Sequence, residues 1–277
     1  MSQLIQLKQR IKAISSIKKI TQTMRLISMS SHSKLKKQSD AMNNLKNEIK
    51  SILCSIAKHH PPHIPAHSKD KTLYIIFASE KGLCGTFNST MFAYFKQQLT
   101  KEVIKHSDII SVGKKATQYL EDRNIKPLHE FDKVLPNKLN SIAQKLYETV
   151  LSIHDQYDKV VCLYSNPQSF FVQNAESMTI FPTSPDPCDV QEPLAMDEYE
   201  WPQNIDEVTQ SLFHTLLKMN ILHILTQSML SEQSARFLSM DNATRSADNL
   251  QKSMKLTFNK MRQAKITREL IELIASF

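Results

Sequence analysis

The residues that most often interrupt helices are confined to the middle of this chain. Only three glycines occur in 277 residues, at Gly82, Gly85 and Gly113, and all eleven prolines lie between Pro61 and Pro202. Average composition would supply about nineteen glycines in a chain of this length. Because Gly and Pro are the residues that punctuate the backbone, their absence from both ends predicts uninterrupted helices over residues 1–58 and 205–277.

Apolar residues in both terminal segments repeat at coiled-coil spacing. The N-terminal segment contains Leu7, Ile11, Ile14, Ile17, Ile20, Met24 and Ile27, followed by Met42, Leu45, Ile49, Ile52 and Ile56. The C-terminal segment contains Ala243, Ala247, Leu250, Met254, Met261 and Ala264. Since helices of this length need a partner along their length, the two ends are expected to form an antiparallel coiled coil. The apolar end from Ile266 to Phe277 is expected to be covered by another protein.

Between these helices, short apolar runs alternate with helical patterns. Strands are predicted at 73–78, 109–112 and 160–164, with two more strand segments within 170–181. Helices are predicted at 88–105, from the Gly113 turn to Leu120, and at 141–154. This alternation predicts a Rossmann-like α/β domain with a largely parallel sheet. The predicted boundaries are a linker at 59–70, the α/β domain at 71–181, and an acidic, Pro-rich linker at 182–204.

Basic charge is concentrated in the N-terminal segment. Residues 1–60 hold twelve Lys and Arg side chains against only Asp40 and Glu48, whereas the net charge of the whole chain is +8. An acidic partner is therefore expected: nucleic acid, anionic lipid or an acidic protein surface. Residues 1–73 contain no Phe, Tyr or Trp for base stacking, so a solvated helix face and a face that meets acidic protein loops both rank above nucleic-acid binding.

Few segments carry the pattern of a chemical site. The sequence SEKGLCGTFN at 79–88 has neither the phosphate-binding loop spacing nor the dinucleotide fingerprint, so Gly82, Leu83, Cys84 and Gly85 are expected to form a strand-to-helix turn. Cys84 has no His or acid partner in sequence and is expected to be structural. The best metal candidates, with no established ligand spacing, are His59, His60, His63 and His67. No catalytic residue, cofactor or metal is predicted.

The sequence also bears on the compartment of the chain. Four scattered cysteines, at 54, 84, 162 and 188, form no CxxC pair, which is typical of a reducing compartment. No run of 18 apolar residues is present, so no membrane span is predicted. Lys8, Arg10 and Lys12 interrupt any apolar stretch near the start, and a secretory signal is not expected.

Three segments resemble the gamma subunit of the rotary F-type ATP synthase. KKITQTMR at 18–25, followed by SKLKK at 33–37, is similar to the family's QKITKAM and SKLRR. SEKGLCGTFN is similar to SDRGLCGGFN, with Thr86 in place of a glycine. The third match is SEQSAR at 231–236 and MDNAT at 240–244, continued by FNKMRQAKITREL at 258–270, which resembles YNRARQAAITKEL.

The resemblance implies a central-stalk rotor subunit that couples transmembrane proton or sodium flow to ATP synthesis or hydrolysis by rotation. The implied partners are the alpha and beta subunits, the epsilon subunit and the membrane c-subunit ring, in a hetero-oligomer with no nucleic acid and no lipid span of its own. The shaft itself has no active site in this family. The implied location is peripheral, at the cytoplasmic face of a bacterial membrane, or the matrix or stromal side in an organelle.

The resemblance also implies which residues couple the shaft to catalysis. Lys18, Met24 and Arg25 would face an acidic loop of a beta subunit, and a charge in place of Met24 would lower coupling efficiency. The implied contacts near the other end are Arg262, Gln263, Thr267 and Glu269. Seam packing is the alternative role for Met24 and Thr267, and an exposed helix charge is the alternative for Arg262. The alternative function is a free basic coiled-coil adaptor or a nucleic-acid-binding protein.

Overall fold

A computed structural model describes residues 2–59, 71–181 and 205–276. Two long helices, α1 (Ser2–His59) and α6 (Ile205–Ala275), come before and after an α/β domain. The elements of that domain, in chain order, are β1 (Thr72–Phe77), α2 (Phe87–Gln98), α3 (Lys101–Lys105), β2 (Ser107–Val112), α4 (Lys114–Glu121), β3 (His129–Phe131), α5 (Leu139–Ile153), β4 (Lys159–Pro167) and β5 (Gln173–Phe181).

The five strands form one sheet in the order β3-β2-β1-β4-β5. β1 pairs in parallel with β2 and β4, and β2 pairs in parallel with β3. β5 returns antiparallel to β4 as a hairpin, with a register irregularity between Val160 and Val161. The sheet is therefore largely parallel, and the predicted fold class is confirmed.

Three predicted elements need correction. The two strand segments expected within 170–181 are one strand, β5, which begins at Gln173. The single helix expected over 88–105 is divided at Leu99 and Thr100, where the Thr100 hydroxyl caps α3 by accepting from the Val103 amide at 3.4 Å. The edge strand β3 was not predicted, because its three residues include the exposed His129 and Glu130 and offer no apolar run.

Each face of the sheet is covered by a different set of helices. One apolar cluster joins the sheet residues Leu73, Ile75 and Cys162 to α5, to Leu35 of α1 and to residues 217–230 of α6. The second cluster joins Ile76, Ile109 and Leu163 to α2 and α4. Burial on both faces is why the strands read as continuous apolar runs rather than as alternating patterns.

The chain divides into two compact units. The first contains residues 1–30 and 236–277, and consists of the two ends of α1 and α6. The second contains residues 31–235, which comprise the α/β domain with the adjoining parts of both helices. None of the helices in the described ranges has the length and apolar character needed to cross a membrane. The linker and domain boundaries expected from the sequence stay predictions.

In the first unit the helices pair antiparallel, but the seam differs from the one predicted. The expected seam passes from Ile14 to Ile17, Ile20 and Ile27, yet these three isoleucines are exposed. The side chains at least half-buried on α1 in this unit are Leu4, Leu7, Ile11, Ile14, Ser15, Lys18, Thr21, Met24, Arg25 and Ser28. On α6 the predicted Leu250 and Ala264 are exposed, and the seam follows Met240, Thr244, Ala247, Gln251, Met254, Phe258 and Met261. The seam positions of α1 are thus taken by the polar residues Lys18, Thr21 and Arg25, whereas the prediction had placed the neighbouring isoleucines there.

Candidate functional site on the helix pair

A polar ladder joins α1 to α6 across the seam of the first unit. It consists of Lys18, Thr21, Arg25, Asp241, Thr244 and Asp248. Lys18 Nζ lies 2.5 Å from Asp248 Oδ1, and Arg25 Nη1 lies 2.6 Å from Asp241 Oδ1. Between them, Thr244 Oγ1 donates to Thr21 Oγ1 at 2.9 Å. From Lys18 to Arg25 the residue number rises on α1, while the number of the partner residue on α6 falls from Asp248 to Asp241. The two helices are therefore antiparallel here.

Each aspartate of the polar ladder binds a second cation from its own helix. Lys252 Nζ lies 2.8 Å from Asp248, and Arg245 Nη2 lies 2.7 Å from Asp241. Hydrogen bonds from Lys18 and then Lys252 lower the pKa of Asp248 to about 2. The Arg25 hydrogen bond is the main cause that lowers the pKa of Asp241. A lowered carboxyl pKa means that both pairs contribute stability at every pH above the ordinary value, and that this contribution is lost as pH falls through the lowered pKa, which is about 2 for Asp248.

The ladder gives Lys18 and Arg25 partners within the chain. The predicted contact of these two side chains with an acidic loop of a beta subunit is not tested by this arrangement and stays a prediction. Lys18 keeps 33% of its side chain accessible and Arg25 keeps 30%. Both cations therefore present a remaining surface to an outside carboxylate while their charge is already partly neutralised by Asp248 and Asp241.

Removing one cation of the ladder tests its contribution to stability. Replacement of Arg25 with methionine is expected to lower the midpoint of thermal unfolding by a few degrees at low salt, because it leaves Asp241 with Arg245 alone. The difference from the unmodified chain should shrink in high salt, since exposed ion pairs are screened. Lys19→Met, at an exposed position on the same helix, is the control, and an equal loss for both variants would contradict a specific role for the ladder.

An apolar stripe, defined by Ile17, Ile20, Met24 and Ile27, lies on α1 beside the ladder. Its 3-4-3 spacing is that of a second coiled-coil face. Ile17, Ile20 and Ile27 expose 52%, 59% and 59% of their surface, and Met24 is half-buried. Within the described part of the chain, the three isoleucines of the stripe thus stay exposed. Contiguous exposed apolar side chains on a helix are typical of an interaction surface.

The predicted coupling residues near the end of α6 are exposed. Arg262 and Gln263 lie outside the seam, and Thr267 Oγ1 donates to the Gln263 carbonyl at 3.0 Å. Glu269 pairs with Lys265 at 3.2 Å. The neighbouring exposed apolar side chains are Ile266, Leu270, Ile271, Leu273 and Ile274. This end of α6 therefore presents apolar side chains over more of its circumference than a two-helix seam requires, as the sequence pattern predicted.

The Gly82–Gly85 segment connects β1 to α2 through a compact hydrogen-bonded turn. Asn88 ties it together by donating from Nδ2 to Ser79 Oγ at 2.7 Å and to Cys84 Sγ at 3.2 Å. Cys84 is buried, whereas Leu83 is exposed and has a left-handed φ of 65°. The turn thus buries the thiol and presents a leucine at the surface.

A carboxylate occupies the place where many α/β proteins bind phosphate. One oxygen of Glu80, just after β1, accepts from the backbone amides of Lys114 and Val134, each at 3.4 Å. Lys114 is the first residue of α4, and phosphates commonly bind such helix starts at the carboxyl ends of parallel strands. A negative side chain in this position disfavours a nucleotide phosphate there.

The predicted metal candidates lie outside the residues whose side chains are described: His59, His60, His63 and His67. In the ranges that are described, no group of three or more His, Cys, Asp or Glu residues is placed to hold a metal ion.

Sequence reasoning missed Asp241 and Asp248 as functional positions. The signal that could have found them is charge spacing, because two cations stand one heptad apart on α1, at Lys18 and Arg25, and two acids stand one heptad apart on α6, at Asp241 and Asp248.

The fold defines a class of chain in which an α/β domain is inserted between two long terminal helices, and comparisons with known proteins identify the family. The family model described as ATP synthase matches residues 3–277. The ATP synthase gamma chain of Wolbachia pipientis (subsp. Culex pipiens, strain wPip) is 32% identical over 292 residues, which cover 99% of this chain and 98% of the relative. That of Clostridium novyi (strain NT) is 29% identical over 277 residues, with coverage of 98% and 96%.

A solved structure shows the same fold. A chain in the rotor of the Euglena gracilis mitochondrial ATP synthase matches with a TM-score of 0.67 at 14% identity, and the match covers 96% of this chain and 99% of that one. The present chain belongs to the family of ATP synthase gamma chains, the central-stalk subunits of the F-type enzyme, and the resemblance stated from its motifs is confirmed.

Proposed function

We propose that this chain turns as the central shaft of a rotary ATP synthase and couples ion flow across a membrane to ATP synthesis or hydrolysis. The observation that carries the proposal is the apolar stripe together with the exposed apolar end of α6. Exposed apolar surface of this extent favours coverage by other subunits. A helix pair inside a ring of subunits would present a different face to each subunit. Because the contacts differ, each catalytic site of the ring would be shifted toward a different conformational state.

The proposed partners are the alpha and beta subunits around the helix pair, with the epsilon subunit and the membrane c-subunit ring next to the α/β domain. The basic charge on α1 favours an acidic partner surface. The first half of this helix contains no acidic residue and includes Lys8, Arg10, Lys12 and Lys19. The chain would be peripheral to the membrane, on its cytoplasmic side or the equivalent organellar side, and held there by its complex.

The chain is proposed to be a non-catalytic subunit. The position most like a phosphate site in its α/β domain holds the Glu80 carboxylate, and the coupling role needs only contacts that differ with rotation angle. The residues proposed to make these contacts are Lys18, Met24, Arg25, Arg262, Gln263, Thr267 and Glu269. Purification of the native complex tests this role, because the chain should co-migrate with the alpha and beta subunits, whereas a free coiled-coil adaptor or nucleic-acid binder would not.

Substitution of the apolar stripe tests the coupling role. The triple variant Ile17→Asn, Ile20→Asn, Ile27→Asn should fold, because these side chains are exposed, and should still assemble through the rest of the chain. ATP-driven proton pumping in inverted membrane vesicles is expected to fall several-fold relative to ATP hydrolysis, since misfitting contacts waste rotation steps.

Leu26→Asn is the matched control, because Leu26 is 60% exposed on another side of the same helix. Its ratio of pumping to hydrolysis should stay near that of the unmodified complex. A normal ratio in the triple variant, or failure of the unmodified chain to co-purify with alpha and beta subunits, would overturn the proposed role.

A further inference from the structure

A lysine occupies a seam position where α1 and α6 pack together within the second unit. The buried and half-buried positions of α1 include a 3-4 repeat through Leu35, Ser39, Met42, Lys46 and Ile49, whereas Leu45, which was predicted for the seam, is exposed. Burial, followed by the nearby Lys50 charge, lowers the pKa of Lys46. Among the described residues, no hydrogen bond or ion pair reaches the Lys46 ammonium. A partly buried ammonium that has no acid bonded to it is an unfavourable element in a helix pair.

Two polar side chains of α6 face this stretch of α1. Gln227 Nε2 donates to Ser39 Oγ at 3.1 Å on one side, and Leu216 packs with Ile49 on the other. Between these contacts, Asn220 Oδ1 and His223 Nδ1 are buried and have no hydrogen-bond partner within the described residues. Asn220 and His223 thus share the face of α6 that carries Leu216 and Gln227, and the Lys46 charge reaches His223 from α1.

The one charged group that acts on His223 among the described residues is the Lys46 cation. Burial and then the Lys46 charge lower the pKa of His223 to about 4, well below its ordinary value of 6.5. The charged groups that α1 places against this stretch are Lys46 and, one turn further, Lys50. α6 itself carries no charged residue between Lys218 and Glu232. The imidazole is therefore neutral at pH 7, and its protonation would place a second positive charge beside Lys46.

We propose that Lys46, Asn220 and His223 make the helix pair acid-sensitive at this point, so that a fall in pH loosens α1 from α6 beside the α/β domain. A histidine whose pKa is lowered in the folded state contributes its full stability at pH values above its unfolded-state pKa. For His223 this contribution is lost as pH falls from 6.5 toward about 4. Its consequence for coupling rests on the proposed function: a loosened pair would transmit rotation less faithfully under acid stress. The local opening itself does not depend on that role.

Hydrogen exchange on the purified complex measures this opening directly. Peptides covering 216–226 of α6 and 42–50 of α1 are compared at pH 7 and pH 5, after correction for the intrinsic pH dependence of exchange. Protection of these peptides is expected to fall about tenfold at pH 5. A tenfold change corresponds to one pKa unit, which is less than the full lowering of the His223 pKa because the site is partly accessible to solvent. Peptides from β1 and β2 should show no comparable change.

His223→Gln should abolish this acid response, because glutamine keeps a polar side chain that does not titrate. Lys46→Met should weaken the response and raise protection at pH 7, since it removes the neighbouring cation. His214→Gln is the matched control on the same helix and should respond like the unmodified chain.

An unchanged acid response in His223→Gln, or equal responses in His223→Gln and His214→Gln, would overturn the inference. Exchange is read from this chain alone, so such a result would leave the coupling role intact. Loss of coupling in the stripe variant would, in turn, say nothing about His223.

Discussion

Replacement of Gly113 with alanine is expected to prevent the α/β domain from folding to its normal stability. Gly113 has a φ of 92° at the start of α4, and a Cβ built there would lie 2.2 Å from the Ala78 carbonyl oxygen. That oxygen belongs to backbone fixed at the end of β1, where the Ala78 amide donates to the Val112 carbonyl at 3.0 Å. The backbone cannot yield cheaply, and the expected cost is about 3 kcal/mol or more.

The expected loss is large because Gly113 connects several elements at once. Its amide donates to the Phe131 carbonyl at 2.8 Å, and its own carbonyl accepts from Ala116 in the first turn of α4. Displacing Gly113 therefore disturbs β1, β3 and α4 together. For a domain with a total stability of about 5–15 kcal/mol, urea unfolding of the purified chain should show a much lower midpoint.

Gly82→Ala is the matched control within the same small set of glycines. A Cβ at Gly82 would meet no heavy atom within 4 Å, and its φ lies outside the left-handed region. Alanine there should be neutral or stabilising by about 0.4–1 kcal/mol, through a less flexible unfolded chain. Equal midpoints for Gly113→Ala and the unmodified chain would contradict the steric argument.

The α/β domain was largely predictable because the strands β1, β2 and β4 are buried along most of their length. Continuous apolar runs such as Leu73–Ala78 can only be satisfied inside a sheet covered by helices. The exception, β3, pairs with β2 through His129, Glu130 and Phe131. An edge strand of three residues is held by backbone hydrogen bonds to its neighbour, so its side chains carry little signal.

The seam was harder to predict because two heptad faces lie side by side on α1. Hydrophobicity alone favours Ile17, Ile20 and Ile27, yet the helix partner takes Lys18, Thr21 and Arg25. Periodicity finds an apolar face but cannot say whether a helix of the same chain or another protein covers it. The choice is made by Asp241 and Asp248, which supply carboxylates on the facing helix.

Polar seam residues have a physical consequence for a shaft. Ion pairs and hydrogen bonds have directional geometry, whereas an apolar seam tolerates small shifts between helices. Lys18 and Arg25 can both reach their carboxylates only when the two helices keep their present alignment. The apolar stripe of α1 is then available for contact with other subunits. One helix can therefore pack against α6 with one face and bind another protein with the next.

Proline at an exposed position of this shaft is expected to abolish coupling. Lys19 lies on the outer side of α1, so Lys19→Pro removes no seam contact. It removes one helical hydrogen bond and clashes with the preceding turn, at a local cost of about 3 kcal/mol. ATP-driven proton pumping should be lost while ATP hydrolysis continues, because a kinked shaft cannot transmit rotation between the ring and the α/β domain.

Lys19→Gly separates flexibility from distortion, since glycine costs only about 1 kcal/mol at such a site. If the absence of glycine from residues 1–58 reflects a need for a shaft without a hinge, this variant should lower the ratio of pumping to hydrolysis more than its small stability cost implies. Lys19→Ala, which keeps the helix and removes the same charge, should leave the ratio unchanged. Normal coupling in Lys19→Gly would mean that glycine is absent from α1 for helix stability alone, and not for torque.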